Sequence, residues 1–373
     1  MSEWKECQLG DLITFQRGHD LPKTKMQGGK YPVVGSNGII GYHNEYTTEA
    51  PSITIGRSGN VGKPFLFKGR SWSHNTSLYI KEYKSIDPIF IYYFLQTLDL
   101  GNYAGGSAVP TLNRNHIHTL NVYVPTDIDE QRRIGAVLSA IDDKLELNTA
   151  INENLEQQAQ ALFKAWFVDF EPFDGVMPDD WQDISVYDLA DYINGAAFKK
   201  AEYGDSGFPI IKIAELKSGI TDSTQYCCVR KDDKYYIDDR DILFSWSGNP
   251  DTSIDTFLWS RGKAILNQHT FRVVSKYNAP AFTYFLLKYL KPQFAHIASN
   301  KQTTGLGHVT VADLKRLQFC SNIATINEFE VLAAPIFNAI FAIYKENQHL
   351  ADLRDTLLPK LMNGEIDVSA VQI

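Results

Sequence analysis

Cysteine and methionine are both scarce in this chain of 373 residues, with four of each. Cys7, Cys227, Cys228 and Cys320 have neither the spacing of a zinc site nor the density of a disulfide framework. They read as reduced thiols, Cys227 and Cys228 alternating in and out along a strand, and reduced thiols fit the cytoplasm. Unbroken apolar runs of 18 residues are missing, and the opening MSEWKECQLG lacks a signal-peptide pattern. No membrane span is therefore expected. Also missing are a Walker loop, a Rossmann glycine fingerprint and an HExxH zinc motif. Asn249-Pro250 lacks the second Pro and the aromatic of an amino-methyltransferase tetrapeptide. These absences exclude the common nucleotide, dinucleotide and zinc chemistries. One enzyme reading stays open. Asp205 with Glu215-Leu-Lys217 has roughly the spacing of a metal-dependent nuclease site, a triplet that is common by chance. His116 and His118 would need further ligands to hold a metal and read as surface or capping residues, so no metal site is expected.

The chain is rich in apolar (44%) and aromatic (12%) residues, which makes it globular with room for two or three cores. Net charge is −8, and its distribution is uneven: +2 over residues 1–127, −4 over 128–170, −2 over 171–326 and −4 over 327–373. The two stretches at −4 carry the imbalance. The remainder is neutral in sum and leaves room for a local basic face.

Those two acidic stretches are helical by pattern. From Ile134, steps of four and three reach Leu138, Ile141, Leu145, Asn148, Asn152, Leu155, Ala159, Leu162 and Trp166. A 3.5-residue repeat held this long marks a helix lying against another helix, although a long amphipathic helix on a globular domain is the plainer reading. Forty residues give a rod of about 60 Å. Between Asn327 and Gly364 the same spacing links Leu332, Ile336, Ile340, Ile343, Asn347 and Leu350, then Leu353, Leu357 and Leu361 after a one-residue slip. Asn148 and Asn347 interrupt their seams near the middle, where a buried Asn can fix register.

An internal repeat organises the rest. At an offset of 177, Trp4 falls on Trp181, Leu12 on Leu189, Gly18 on Gly195 and Tyr31–Val34 on Phe208–Ile211. After insertions, Ser58-Gly59-Asn60 pairs with Ser247-Gly248-Asn249, and Pro88–Tyr93 with Pro280–Phe285. The layout is domain, rod, domain, rod: 1–127, 128–170, a hinge at 171–180, 181–326 and 327–373. Each domain reads as mixed α and β. Short helices are expected at Leu9–Arg17 and Val186–Ile193, capped by Gly18 and Gly195. Helices with aromatic faces are expected at Pro88–Leu98 and Pro280–Leu290. Strands are expected at Tyr31–Val34, Ser52–Gly56, Ser77–Lys81 and Asn121–Val124, and at Phe208–Lys212, Asp241–Ser245, Thr270–Val274 and Leu317–Cys320.

The Gly-, Ser- and Asn-rich loops between these elements suit binding. Arg57, Ser58, Asn60 and Lys63 lie in one, and Asn113 and Arg114 in another. The second half offers Ser247, Asn249, Gln268, Lys301 and Gln302. Arginine can read guanine and Asn or Gln adenine, while Lys mostly meets phosphate. Ordinary solvated loops are the alternative for individual members of the set.

The stretches Asp129–Ile134, Ala161–Phe170 and Leu358–Ile366, on the duplicated layout, resemble the specificity subunits of type I restriction-modification systems. The resemblance covers essentially the whole chain. It implies an α+β molecule with two homologous target recognition domains and two long helices pairing as an intramolecular antiparallel coiled coil, related by a pseudo-two-fold. It further implies a non-catalytic subunit reading a bipartite double-stranded DNA target, with the rods setting the spacer and docking two modification subunits. Two restriction subunits join where they are present. Cofactors belong to those partners: S-adenosylmethionine in the modification subunit, ATP and Mg in the restriction subunit. One departure stands out. Asn322 replaces Pro125 and Asn327-Glu328 replaces Asp129-Glu130-Gln131, so a less regular entry to the second rod is expected. A coiled-coil scaffold without DNA binding is the rival to this reading.

Overall fold

The computed structural model describes residues 3–106, 110–302 and 305–372. They divide into two compact units, Met1–Leu145 with Leu350–Ile373, and Glu146–His349.

In the first unit a four-stranded antiparallel sheet runs in the order Ile13–Arg17, Ser77–Tyr83, Ser52–Gly56, Pro64–Phe67. A small second sheet pairs Tyr31–Gly35 in parallel with Trp72–Ser73. A separate pair, Trp4–Gln8 with Asn121–Pro125, joins the two ends of the first repeat. The second unit repeats this plan. Its sheet runs Ala190–Asn194, Thr270–Ser275, Ile242–Ser245, Asp255–Leu258. Phe208–Ile211 pairs in parallel with Ala264–Leu266, and Gln182–Ser185 pairs with Gln318–Ser321. The duplication thus extends to strand order and direction.

Two expectations are corrected. The helices at Leu9 and Val186 end at Leu12 and Leu189, and Ile13–Arg17 and Ala190–Asn194 are strands. Ile13 and Phe15 are buried while Thr14 and Gln16 are half-exposed, so period-2 alternation governs there. Gly18 and Gly195 are not helix caps. A Cβ on Gly18 would lie 2.0 Å from the His74 carbonyl oxygen, and one on Gly195 would lie 2.2 Å from that of Asn267. Close approach of two backbones requires glycine at both.

The helices Pro88–Gln96 and Pro280–Tyr289 pack their aromatic rings into the cores. Each is tethered by the long helix of its own unit. Asp87 caps the first, accepting from the Ile89 and Phe90 N–H groups. Buried Gln131 accepts from the Asp87 N–H and donates to the Pro125 carbonyl. The second helix has Ala279 at the cap position, and Glu330 accepts from the Ala281 and Phe282 N–H groups instead. Burial pushes the Glu330 carboxyl above its usual range, against the lowering effect of those two bonds.

The long helices span Ile128–Phe167 and Ile323–Met362. In the first unit Ile134, Leu138, Leu361 and Met362 share one buried core, and Arg354 pairs with Asp142 at 3.0 Å. In the second unit Phe163 meets Phe329 and Asn148 meets Asn347, so the segments run antiparallel in each. Ile141 and Asn148 are also buried, while Leu145, Leu155 and Leu162 are half-buried. On the second helix Ile340 is buried and Ile336, Ile343, Asn347, Leu350 and Leu357 are half-buried. Leu332 is exposed, and the deeply buried register is Phe329, Ala333, Phe337, Ile340. This helix begins at Ile323, ahead of residue 327, and Asn322 caps it by accepting from the Thr325 N–H at 2.7 Å. Its entry is therefore regular. By composition it also contains a stretch apolar enough to cross a membrane, interrupted by Asn and Glu so that no unbroken run is seen. Phe329, Ala333, Phe337 and Ile340 of this helix are core residues of the second unit.

Candidate nucleic-acid interface

Gly56 ends a fully buried strand, and the chain then turns so tightly that a Cβ there would sit 1.7 Å from the Asn60 carbonyl oxygen. Arg57 follows on a rigid support. Its N–H donates to the Thr76 carbonyl at 2.8 Å, its own carbonyl accepts from Leu112 N–H at 2.8 Å, and Ser58 bridges Thr111. The first of these bonds brings the strand entry at Thr76 to Arg57, and the second brings the segment after residue 110.

The result is a cleft of about 540 Å³ whose polar lining includes Arg17, Arg57, Arg114, Asn113, Asn115 and His116. Arg17 arrives from the end of its strand, opposite Leu78. Asn113 accepts from the Asn115 N–H at 3.0 Å and so caps the short helix Arg114–His118. No carboxylate is among the described lining residues. Three arginines around one cleft suit an anionic or acceptor-rich ligand. Behind them His118 Nε2 accepts from the Phe15 N–H at 2.9 Å. Burial, then the positive charges of Arg114 and Lys84, hold the His118 imidazole below its usual pKa.

The other expected residues of the first unit lie elsewhere. Lys63 places its ammonium over the Phe65 ring and lines a separate cavity of about 600 Å³ with Gln96, Asp99 and Arg354. Asn60 is exposed on the turn. Ser107–Val109, ahead of Asn113 and Arg114 in sequence, lie outside the described residues.

The second unit repeats the frame with other side chains. Trp246 N–H donates to the His269 carbonyl, Trp246 carbonyl accepts from Val309 N–H at 2.8 Å, and Ser247 pairs with His308. Trp246 occupies the position of Arg57, and its indole N–H donates to Asn194 Oδ1 at 3.3 Å. Gln268 lies beside His269, with Nε2 and Nε2 3.4 Å apart. Two residues expected as contacts have partners within the unit. Asn249 Oδ1 accepts from the Asp251 and Thr252 N–H groups, closing its own turn. Lys301 is ion-paired with the buried carboxylate of Asp313. Gln302 is exposed and reaches the Gly305 carbonyl, and Thr303 and Thr304 lie outside the described residues.

The nuclease triplet does not assemble. Glu215 is buried with its carboxylate accepting from the Lys212 N–H, as the cap of the helix Ile213–Ser218, while Asp205 and Lys217 are exposed. No group of three His, Cys, Asp or Glu residues is placed to hold a metal among the described residues.

Sequence reasoning missed Arg17, Asn194 and Trp246. Arg17 and Asn194 were legible as a pair, each preceding the aligned glycine of its repeat, but reading those stretches as helix hid that they end strands.

A family model described as the type I restriction modification DNA specificity domain matches residues 1–157 and 178–320. The chain is 27% identical to the type I restriction enzyme MjaIX specificity subunit of Methanocaldococcus jannaschii, over 75% of this chain and 69% of that protein. It is 25% identical to the HindI specificity subunit of Haemophilus influenzae, over 69% of this chain and 71% of that protein. In fold it is similar to a type I restriction-modification S subunit from M. genitalium, with a TM-score of 0.65 over 96% of both chains at 16% identity.

Proposed function

Since the chain belongs to the type I restriction modification DNA specificity family, whose model covers both repeats, we propose that each of its two units reads one half of a split double-stranded DNA target. The chain is the DNA sequence-specificity subunit of a type I restriction-modification system. In this proposal it has no catalytic step of its own and holds no cofactor. Two modification subunits, carrying S-adenosylmethionine, methylate adenine where the specificity subunit has placed them. Restriction subunits, where present, bring ATP and Mg. The paired long helices set the unread gap.

The observation that carries this reading is the duplication of one backbone frame with different side chains mounted on it. Arg57 and Trp246 are held by the same pair of main-chain bonds. A repeated frame with unlike readers suits a target of two unlike halves, because the frame positions and the side chains specify. Arg57, Asn113 and Arg114 remain the central DNA contacts proposed for the first unit, with Ser58, Asn60 and Lys63 beside them. Ser247, Gln268 and Gln302 are the candidates of the second, of which Gln268 and Gln302 are exposed, while Lys301 and the Asn249 side-chain oxygen already bond within the unit.

The test is a methylation map. The chain is co-expressed with the modification subunit and the host DNA is sequenced for modified adenine. A two-part motif with a fixed gap is the expected result. Absence of methylation in an assembled complex would defeat the proposal.

A further inference from the structure

The two repeats can be superposed residue by residue through their hydrogen bonds, and at the cleft they differ in charge. Arg17 and Asn194 close the same strand, just before Gly18 and Gly195, whose N–H groups donate to Ser77 and Thr270. Arg57 and Trp246 share the pair of main-chain bonds described above. Asn113 and Thr310 both cap short helices, so Arg114 corresponds to Val311. Three guanidinium groups in the first unit therefore stand where the second carries an amide, an indole and an isopropyl group. The frame is kept and every cation is replaced.

We infer, resting on the DNA-reading proposal, that Arg57 reads a guanine in the half-site of the first unit, with Arg17 and Arg114 as flanking phosphate contacts. Guanine offers O6 and N7 as paired acceptors in the major groove, and the planar fork of arginine matches them with two parallel bonds. Base reading needs a side chain whose root is fixed, and Arg57 has the most constrained root of the three. Its N–H and carbonyl are both bonded within the unit, and its residue is half-buried, whereas Arg17 and Arg114 are exposed. Asn113, Asn115 and His116 beside it supply further hydrogen-bonding groups for neighbouring bases or sugar oxygens. Lacking any cation at these positions, the second unit does not read guanine through this part of its frame.

The test uses the assembled complex of the full chain with its modification subunits. Methylated motifs are compared for the unaltered chain, Arg57→Ala, Arg57→Lys and Trp246→Ala. Arg57→Lys keeps the charge and removes the fork. Both Arg57 variants are expected to relax one guanine position in one half of the motif, leaving the other half and the gap unchanged. Binding to the matched site should fall roughly ten- to hundred-fold for Arg57→Ala, with discrimination at that guanine lost. Trp246→Ala should alter the opposite half only. The intact half reports that each variant is folded and assembled. If Arg57→Ala weakens binding to all sequences alike, keeps the motif and flattens the salt dependence, the arginine meets phosphate and the inference is wrong. An unchanged motif and affinity also overturns it. Loss of methylation by the unaltered complex would instead strike the DNA-reading proposal itself.

Discussion

His118 shows how a single side chain ties the arginine cleft to the core beneath it. Its Nε2 accepts from the Phe15 N–H, so the neutral ring is the form that fits. The folded-state pKa is lowered from 6.5 by burial and by the charges of Arg114 and Lys84. A depressed histidine leaves stability intact above its unfolded pKa. That stability is lost as pH falls, because the unfolded chain takes up the proton first. Thermal stability should therefore fall as pH drops below about 6.5. His118→Gln, which keeps an acceptor and does not titrate, should flatten that slope. An equally steep slope in the variant would refute the role. Lys301 supports a second prediction at this scale. Its partner Asp313 is buried and also accepts from the Thr310 N–H and hydroxyl. Burial alone would raise the Asp313 pKa, but the bonds from Lys301 and Thr310 outweigh it and hold the carboxyl below its usual range. Lys301→Ala should destabilise the second unit by about 1–3 kcal/mol, as expected for leaving a buried acceptor short of a partner. Chemical denaturation reads that loss, and the methylated motif should stay the same.

Two buried asparagines of the long helices have opposite standing. Asn148 donates to Glu346 and to Asn347, both at 2.8 Å. Asn152, one turn on, is buried with neither its nitrogen nor its oxygen bonded to protein. An unmet buried amide costs on the order of 1–3 kcal/mol, so Asn152→Leu should raise the urea midpoint and Asn148→Leu should lower it. The reverse order would mean that the amides exchange partners in solution. Both asparagines stood out in the sequence as breaks in an apolar repeat, yet nothing there distinguishes the bonded one from the unbonded one. That difference depends on the facing helix. The same limit explains the second seam. Stepping between aliphatic residues selected Leu332, but the buried register uses Phe329, Ala333 and Phe337, of which Phe329 meets Phe163 and Phe167, and Phe337 meets Tyr284 and Phe285. Strands were legible where β-branched residues alternate, as at Ser52–Gly56. They were lost where a helix ran directly into a strand at Leu12 and Leu189, since no Gly or Pro marks that change. The cleft itself brings together residues 17, 57 and 114, which only strand pairing can place side by side.

At the scale of the molecule, core and rod are not separate parts. Leu138 is fully buried in the first core beside Ile134 and near Leu361. Leu138→Asp should cost well over the 2–5 kcal/mol of a truncation to Ala, because it adds a buried charge. Loss of soluble complex with the modification subunits is the expected readout, and undisturbed assembly would argue that the helix pair is dispensable. The proposed ruler can be tested by length. One extra heptad in each long helix adds about 10 Å at about 1.5 Å per residue and returns the apolar face nearly to phase. At about 3.4 Å per base pair, the methylated motif should gain a gap of about three base pairs. A gap that stays fixed would remove the ruler role and leave the reading of each half untouched.

The first unit takes its residues from both ends of the chain. Trp4 lies close enough to Gly364 that a Cβ there would stand 3.0 Å from the indole ring, and the Trp4 indole N–H reaches Glu130. A short linker could therefore join the first residues to the last, and the chain could be opened instead in the acidic stretch 174–180 between its halves. Such a circular permutant would begin with the second repeat and end with the first, keeping every strand pair and both seams described above. The fold does not register which repeat the ribosome makes first, and the permutant should methylate the same motif as the parent.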